Sequence, residues 1–172
     1  MKNAMVLLIV LISALVSCEE DKLTEIKYDG TGGISCVADG KVLKSGSNND
    51  LTYCKFTVLD DGIIILGISF SDNTSQWVFE TVSLVIYDVQ IDDLVGTTYY
   101  LSEKTNSSSY GVYGIGGLEY KTNNNNTGDF TISYYDPEKK VIAGNFSFRA
   151  RGNGEVKKIR FGRFDLPIND PE

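Results

Sequence analysis

Turn-forming residues recur along this chain at roughly ten-residue intervals, and no stretch between them carries a sustained helical apolar pattern. Asp39-Gly40, Asp60-Asp61-Gly62, Ser71-Asp72-Asn73-Thr74, the Asn123–Asn126 run and Asn153-Gly154 are each rich in residues that tolerate tight or left-handed backbone. Asp136-Pro137-Glu138-Lys139-Lys140 adds a turn with a mechanism: Pro137 presets φ, and Asp136 can accept hydrogen bonds from the amides that follow. Between the turns lie β-branched and aromatic runs at 34–38, 41–44, 51–59, 63–70, 77–89, 110–121, 127–135, 141–150 and 156–166. Such a chain is all-β. The pattern predicts an antiparallel β-sandwich or partly open β-barrel of about nine strands, closure being something periodicity does not report.

Individual runs carry finer expectations. Residues 63–70 are continuously apolar and read as a central strand. Residues 88–97 have room for one helical turn. Arg149 and Arg151 alternate with Phe148 and Ala150, so they face away from the core. In the last run Ile159 and Phe161 share one face, whereas Phe164, Leu166 and Ile168 take the opposite parity. Gly162 stands at the switch, where a β-bulge would return both sets to the core.

The N-terminus has a different character. Lys2 precedes an apolar run over 4–14, too short to span a membrane, and the run closes on Leu15-Val16-Ser17-Cys18. That ending resembles a bacterial lipobox. The resemblance implies that 1–17 is a lipoprotein signal peptide and that Cys18 is lipidated, anchoring the protein in the outer membrane at its cell-surface or periplasmic face. Residues 18–33, with Glu19-Glu20-Asp21 and Asp29-Gly30-Thr31-Gly32-Gly33, read as a flexible acidic tether. A single β domain is expected over 34–172.

The C-terminal third carries a second resemblance. Residues Thr131-Ile132-Ser133-Tyr134-Tyr135-Asp136, Lys139-Lys140-Val141-Ile142-Ala143-Gly144-Asn145-Phe146-Ser147-Phe148 and Gly162-Arg163-Phe164-Asp165 look like the ending of small Bacteroidetes lipoproteins of unknown function. Val37-Ala38-Asp39-Gly40-Lys41 and Leu94-Val95-Gly96-Thr97-Thr98-Tyr99-Tyr100-Leu101 are more weakly similar to two earlier elements of that family. The resemblance implies an exported β domain and brings no assigned chemistry with it.

Composition removes several function classes. The chain has no histidine, which excludes Ser-His-Asp and Cys-His catalysis and any His-ligated zinc site. A net charge of −7 argues against nucleic acid as the partner. Cys36 and Cys54 lie in an exported chain, where two thiols are expected to form a disulfide; two buried free thiols are the alternative. If the runs 34–38 and 51–59 pair antiparallel, both sulfurs point inward at bridging distance.

The candidate sites are surface features. Tyr99, Tyr100, Tyr110, Tyr113, Tyr120, Tyr134 and Tyr135 could stack on sugars if several, Tyr99, Tyr110, Tyr113 and Tyr134 above all, share one exposed patch; the competing reading is cross-strand packing. Lys139, Lys140, Arg149, Arg151, Lys157, Lys158, Arg160 and Arg163 concentrate half of the chain's basic residues near its end, either as an anion- or headgroup-binding face or as a solvated edge. The acid pairs at 60–61 and 92–93, and Asp72, read as turn residues rather than calcium ligands. No catalytic residue, metal or cofactor is expected. The sequence therefore points to a lipid-anchored, non-catalytic envelope lipoprotein that binds an envelope protein or, alternatively, a surface glycan.

Overall fold

The computed structural model describes residues 23–45, 52–72, 78–102 and 107–169. The signal peptide, Cys18 and the first part of the expected tether lie outside the described residues. The fold is all-β: β1 (Gly33–Ala38), β2 (Lys41–Lys44), β3 (Thr52–Val58), β4 (Ile64–Asp72), β5 (Glu80–Ile86), β6 (Thr98–Leu101), β7 (Tyr110–Ile115), β8 (Leu118–Lys121), β9 (Gly128–Asp136), β10 (Val141–Gly152) and β11 (Glu155–Pro167). One 3-10 turn, Ile91–Asp93, sits where a single helical turn was expected. No helix among the described residues is long and apolar enough to cross a membrane.

All strands belong to one antiparallel sheet that curls into a half-barrel, in the order β2-β1-β11-β10-β8-β7-β5-β4-β3. β10 is the fork. Along one edge it pairs first with β9, over Val141–Phe148, and then meets β8 at Arg151; β6 extends the branch beyond β9. The curl brings the ends together. The Asn169 amide donates to the Cys54 carbonyl at 2.7 Å, and the Cys54 amide donates to Asn169 Oδ1 at 2.9 Å. Inside the curl, Phe70, Phe130, Phe146, Phe148 and Phe164 pack with the aliphatic residues of both branches. Phe130 and Phe164 stack with ring centroids 5.1 Å apart.

The turns follow their chemistry. Asp39 and Gly40 both take positive φ, as do Asn153 and Gly154, the geometry that joins β1 to β2 and β10 to β11. Asp136 Oδ1 accepts from the amides of Glu138 and Lys139 at 3.1 and 2.9 Å, which fixes the β9–β10 turn. Donation by the Lys139 amide also holds the Asp136 carboxyl below its ordinary range.

Four expectations are corrected. The run 110–121 is a hairpin rather than one strand, because Gly116 and Gly117 both take positive φ and turn the chain. Residues 23–33 are not a free tether: Leu23 is buried, Thr24 bonds the buried Ser35, and the amides of Lys27 and Gly30 both donate to Asp165 at 2.8 Å. Cys36 and Cys54 are buried free thiols, not a disulfide. Both edges of β1 are taken, by β2 through the tight turn and by β11, so β3 pairs with β4 at the far end of the path. The bulge in β11 falls at Arg160 and Phe161, which together oppose Ser147; Phe161 turns outward with φ +53° rather than entering the core.

Candidate functional site

The four tyrosines singled out by sequence do not form one patch. Tyr113 is buried, with its hydroxyl donating to Glu80 Oε2 at 2.6 Å. Tyr99 packs on Phe130, and burial raises the pKa of its hydroxyl. Tyr134 leans on Tyr28, with ring centroids 5.3 Å apart, and bonds Asp136. Tyr110 lies on the outer face of β7, beside Val112, Val85 and Phe79. Cross-strand packing accounts for most of the set.

A buried polar cluster closes one end of the curl. Glu80 is buried and takes hydrogen bonds from Tyr113 and from Lys41 Nζ. Asp72 stands opposite Glu80 in the ladder, and the Lys44 amide donates to it at 3.2 Å. Burial, reinforced by Glu80 and Asp72, pushes the nearby Cys36 thiol well above its ordinary range; burial alone pushes Cys54 up to about 12. Neither sulfur is a thiolate near neutral pH, so neither offers a nucleophile. Among the described residues no group of three or more Cys, Asp or Glu side chains is arranged to hold a metal ion. This cluster ties the β2 end of the sheet to β4, β5 and β7.

The outer face of β6, β9, β10 and β11 combines aromatic, polar and basic side chains. Strand alternation sends Phe130, Ile132, Phe146, Phe148 and Phe164 inward and their neighbours outward. Two outward rows result. Thr98, Thr131, Asn145 and Arg163 lie side by side in one, with the two threonine hydroxyls 2.9 Å apart. Tyr100, Asp129, Ser147 and the bulged pair Arg160-Phe161 form the other. Tyr100 is 61% exposed, second among the large apolar side chains of the described residues. It and Phe161 stand three strands apart, about 14 Å at ordinary strand spacing, with only small polar residues between them.

The floor beside Phe161 is grooved. One hollow of about 350 Å³ is lined by Asp129, Thr131, Asn145, Ser147, Phe161 and Arg163. A second of about 350 Å³ continues along the strands past Thr127, Arg149, Lys158 and Arg160, sharing Asp129 and Ser147 with the first. The bulge makes the trough. Gly162 lies directly over the Phe146 ring, and a Cβ there would come within 2.5 Å of it, so the chain descends to the core at this point. Phe161, in a left-handed conformation unusual for a bulky residue, is half-buried on the outer face; Arg160 lies 5.6 Å from its ring centroid. Segment 23–33 covers Ser35 and Asp165, which ends the trough on the β1 side.

Sequence reasoning missed Tyr100 and Phe161 as a pair. The parity break at 159–164 was the available signal for Phe161; nothing local marked Tyr100 apart from Tyr99, since β6 is only four residues long. Comparison of the chain with protein-family models, with curated proteins and with solved structures finds no match.

Proposed function

We propose that this protein is a lipid-anchored envelope lipoprotein, held in the outer membrane through Cys18, whose β domain binds saccharide chains non-catalytically in the trough on the outer face of β6, β9, β10 and β11. The observation that carries the reading is the trough: two aromatic side chains bracketing a floor of hydroxyl, amide and carboxylate groups on a rigid sheet. Aromatic faces suit the C–H faces of sugar rings, and short polar side chains with locked backbones suit their hydroxyls. The floor is open at both ends along the strands, which fits a chain rather than a small compact ligand.

The anchor rests on the lipobox-like residues preceding Cys18 and on the similarity of the C-terminal third to small exported lipoproteins. Cys18 lies five residues before Leu23, at most about 18 Å of extended chain. A lipid there would keep the domain close to the bilayer.

The test is a glycan array probed with the purified mature protein, alongside mass spectrometry of its N-terminus. Saturable binding that Tyr100→Ala and Phe161→Ala each abolish, on a protein whose first residue is acylated Cys18, is the expected result. Retained binding in both variants would move the site elsewhere, to the β3–β4–β5–β7 face with Tyr53 and Tyr110. An intact 1–17 segment would remove the anchor.

A further inference from the structure

We infer that the saccharide taken by this trough is anionic, a polymer carrying uronate or sulfate groups; the inference rests on the saccharide reading above and specifies its ligand class. The observation is a band of cations built into the same face. Arg149 and Lys158 are direct cross-strand partners, both exposed and both outward. Like charges directly opposite one another destabilise a sheet. Neither side chain forms an ion pair among the described residues. One rung further along β10, Arg151 pairs with Lys121 of β8. Lys121 is answered by Glu119 at 3.0 Å. In the other direction the band continues through Arg160 at the bulge to Arg163, which lies beside Asn145.

The acids near Arg149 and Lys158 do not cancel these two cations. Asp39 Oδ1 accepts the Lys158 amide at 2.8 Å, and its other oxygen faces Lys157 at 3.4 Å. Lys157 also meets Glu155 at 3.0 Å and lies 5.4 Å from the Tyr120 ring centroid. Asp129 is the one carboxylate on the trough floor, set among Arg149, Lys158 and Arg160. Cations for acid groups, with one carboxylate and several hydroxyls and amides for sugar hydroxyls, make a mixed set that a neutral glycan would leave partly unused. In a chain of net charge −7, such a concentration on one face is a local reversal of sign.

The geometry favours a polymer. From Arg151 to Asn145, beside Arg163, the strand advances about 20 Å at ordinary rise. Basic residues placed along that length, beside a groove lined by Phe161, Arg149 and Lys158, match an extended chain of repeating acids better than a single headgroup or phosphate.

The test uses the mature protein in detergent and four probes: polygalacturonate, chondroitin sulfate, a neutral β-glucan, and phosphatidylglycerol doped into the detergent micelles. The expected result is saturable binding to an acidic polymer that weakens as salt rises. It should fall about tenfold for each cation removed in Arg149→Gln and Lys158→Gln, as a charge-assisted contact predicts. Lys44→Gln/Lys55→Gln, the same charge change on β2 and β3, away from the trough, should leave it unaltered. Equal binding of the neutral glucan, indifferent to Arg149 and Lys158, would overturn the anionic assignment while sparing the saccharide reading. Binding to none of the polymers would overturn both. A response confined to the anionic lipid, absent with neutral lipid and lost in Arg149→Gln and Lys158→Gln, would replace the polymer with a membrane surface and likewise overturn the proposal.

Discussion

Asp165 is fully buried, yet its two oxygens each accept one backbone amide, from Lys27 and from Gly30, at 2.8 Å. It is the clamp that lays segment 23–33 across the outer face of β11. Gly32 shows how close the fit is, since a Cβ there would come within 2.8 Å of Asp165 Cβ. Asp165→Asn keeps the shape but puts an NH2 where one oxygen was, so two donors face each other. A hydrogen bond to a charged group contributes about 1.5–3 kcal/mol, and an opposed donor adds to its loss. The expected cost is about 2–4 kcal/mol, a large share of the stability of a domain this size. Urea unfolding gives the global figure. Hydrogen exchange at the Lys27 and Gly30 amides gives the local one, and both amides should exchange well before the β10–β11 amides. A variant within about 0.5 kcal/mol of the parent, with both amides still protected, would refute the clamp.

Three further outcomes follow from the same structure. Alkylation without reductant should modify neither Cys36 nor Cys54 in the native chain and both in the denatured chain, whereas recovery of a bridged peptide would contradict the two free thiols. Because burial pushes the Cys54 thiol from 9.0 up to about 12, the folded state keeps a proton that the unfolded state loses. The Cys54 contribution to stability should therefore be level below pH 9 and be lost between about pH 9 and 12, so that the decline over that range is less steep in Cys54→Ala; an identical decline in that variant would contradict it. Phe161→Asn places a residue that tolerates positive φ at the bulge. It should hold or raise stability by up to about 1 kcal/mol while weakening saccharide binding, and a large loss of stability would show that Phe161 serves packing instead.

Much of the fold was legible in local chemistry. Asp39-Gly40 and Asn153-Gly154 set two tight hairpins, and Asp136-Pro137 a third turn, because those residues state their backbone geometry themselves. The outward placement of Arg149 and Arg151 followed from alternation with Phe148 and Ala150. What escaped was non-local. Cys36 and Cys54 looked like neighbours only while β1 had an unfilled edge, and the strand that fills it, β11, lies more than a hundred residues later. Segment 23–33 is polar and glycine-rich, as a linker is, and it is ordered by Asp165, a partner no window of sequence contains. Phe161 was assigned to the core on parity. The bulge sits one residue earlier than Gly162 implied, and that single step turns an apolar side chain from the interior to the trough.

The central claim is that the outer face of β6, β9, β10 and β11 is the recognition surface. Chemical-shift mapping of the isotope-labelled protein with an acidic oligosaccharide tests it most directly. The account predicts perturbations at Tyr100, Asp129, Thr131, Asn145, Ser147, Arg149, Lys158 and Phe161, with Tyr53, Ser69, Ser83 and Tyr110 unmoved. Shifts concentrated on the β3–β4–β5–β7 face, with the trough residues silent, would contradict it.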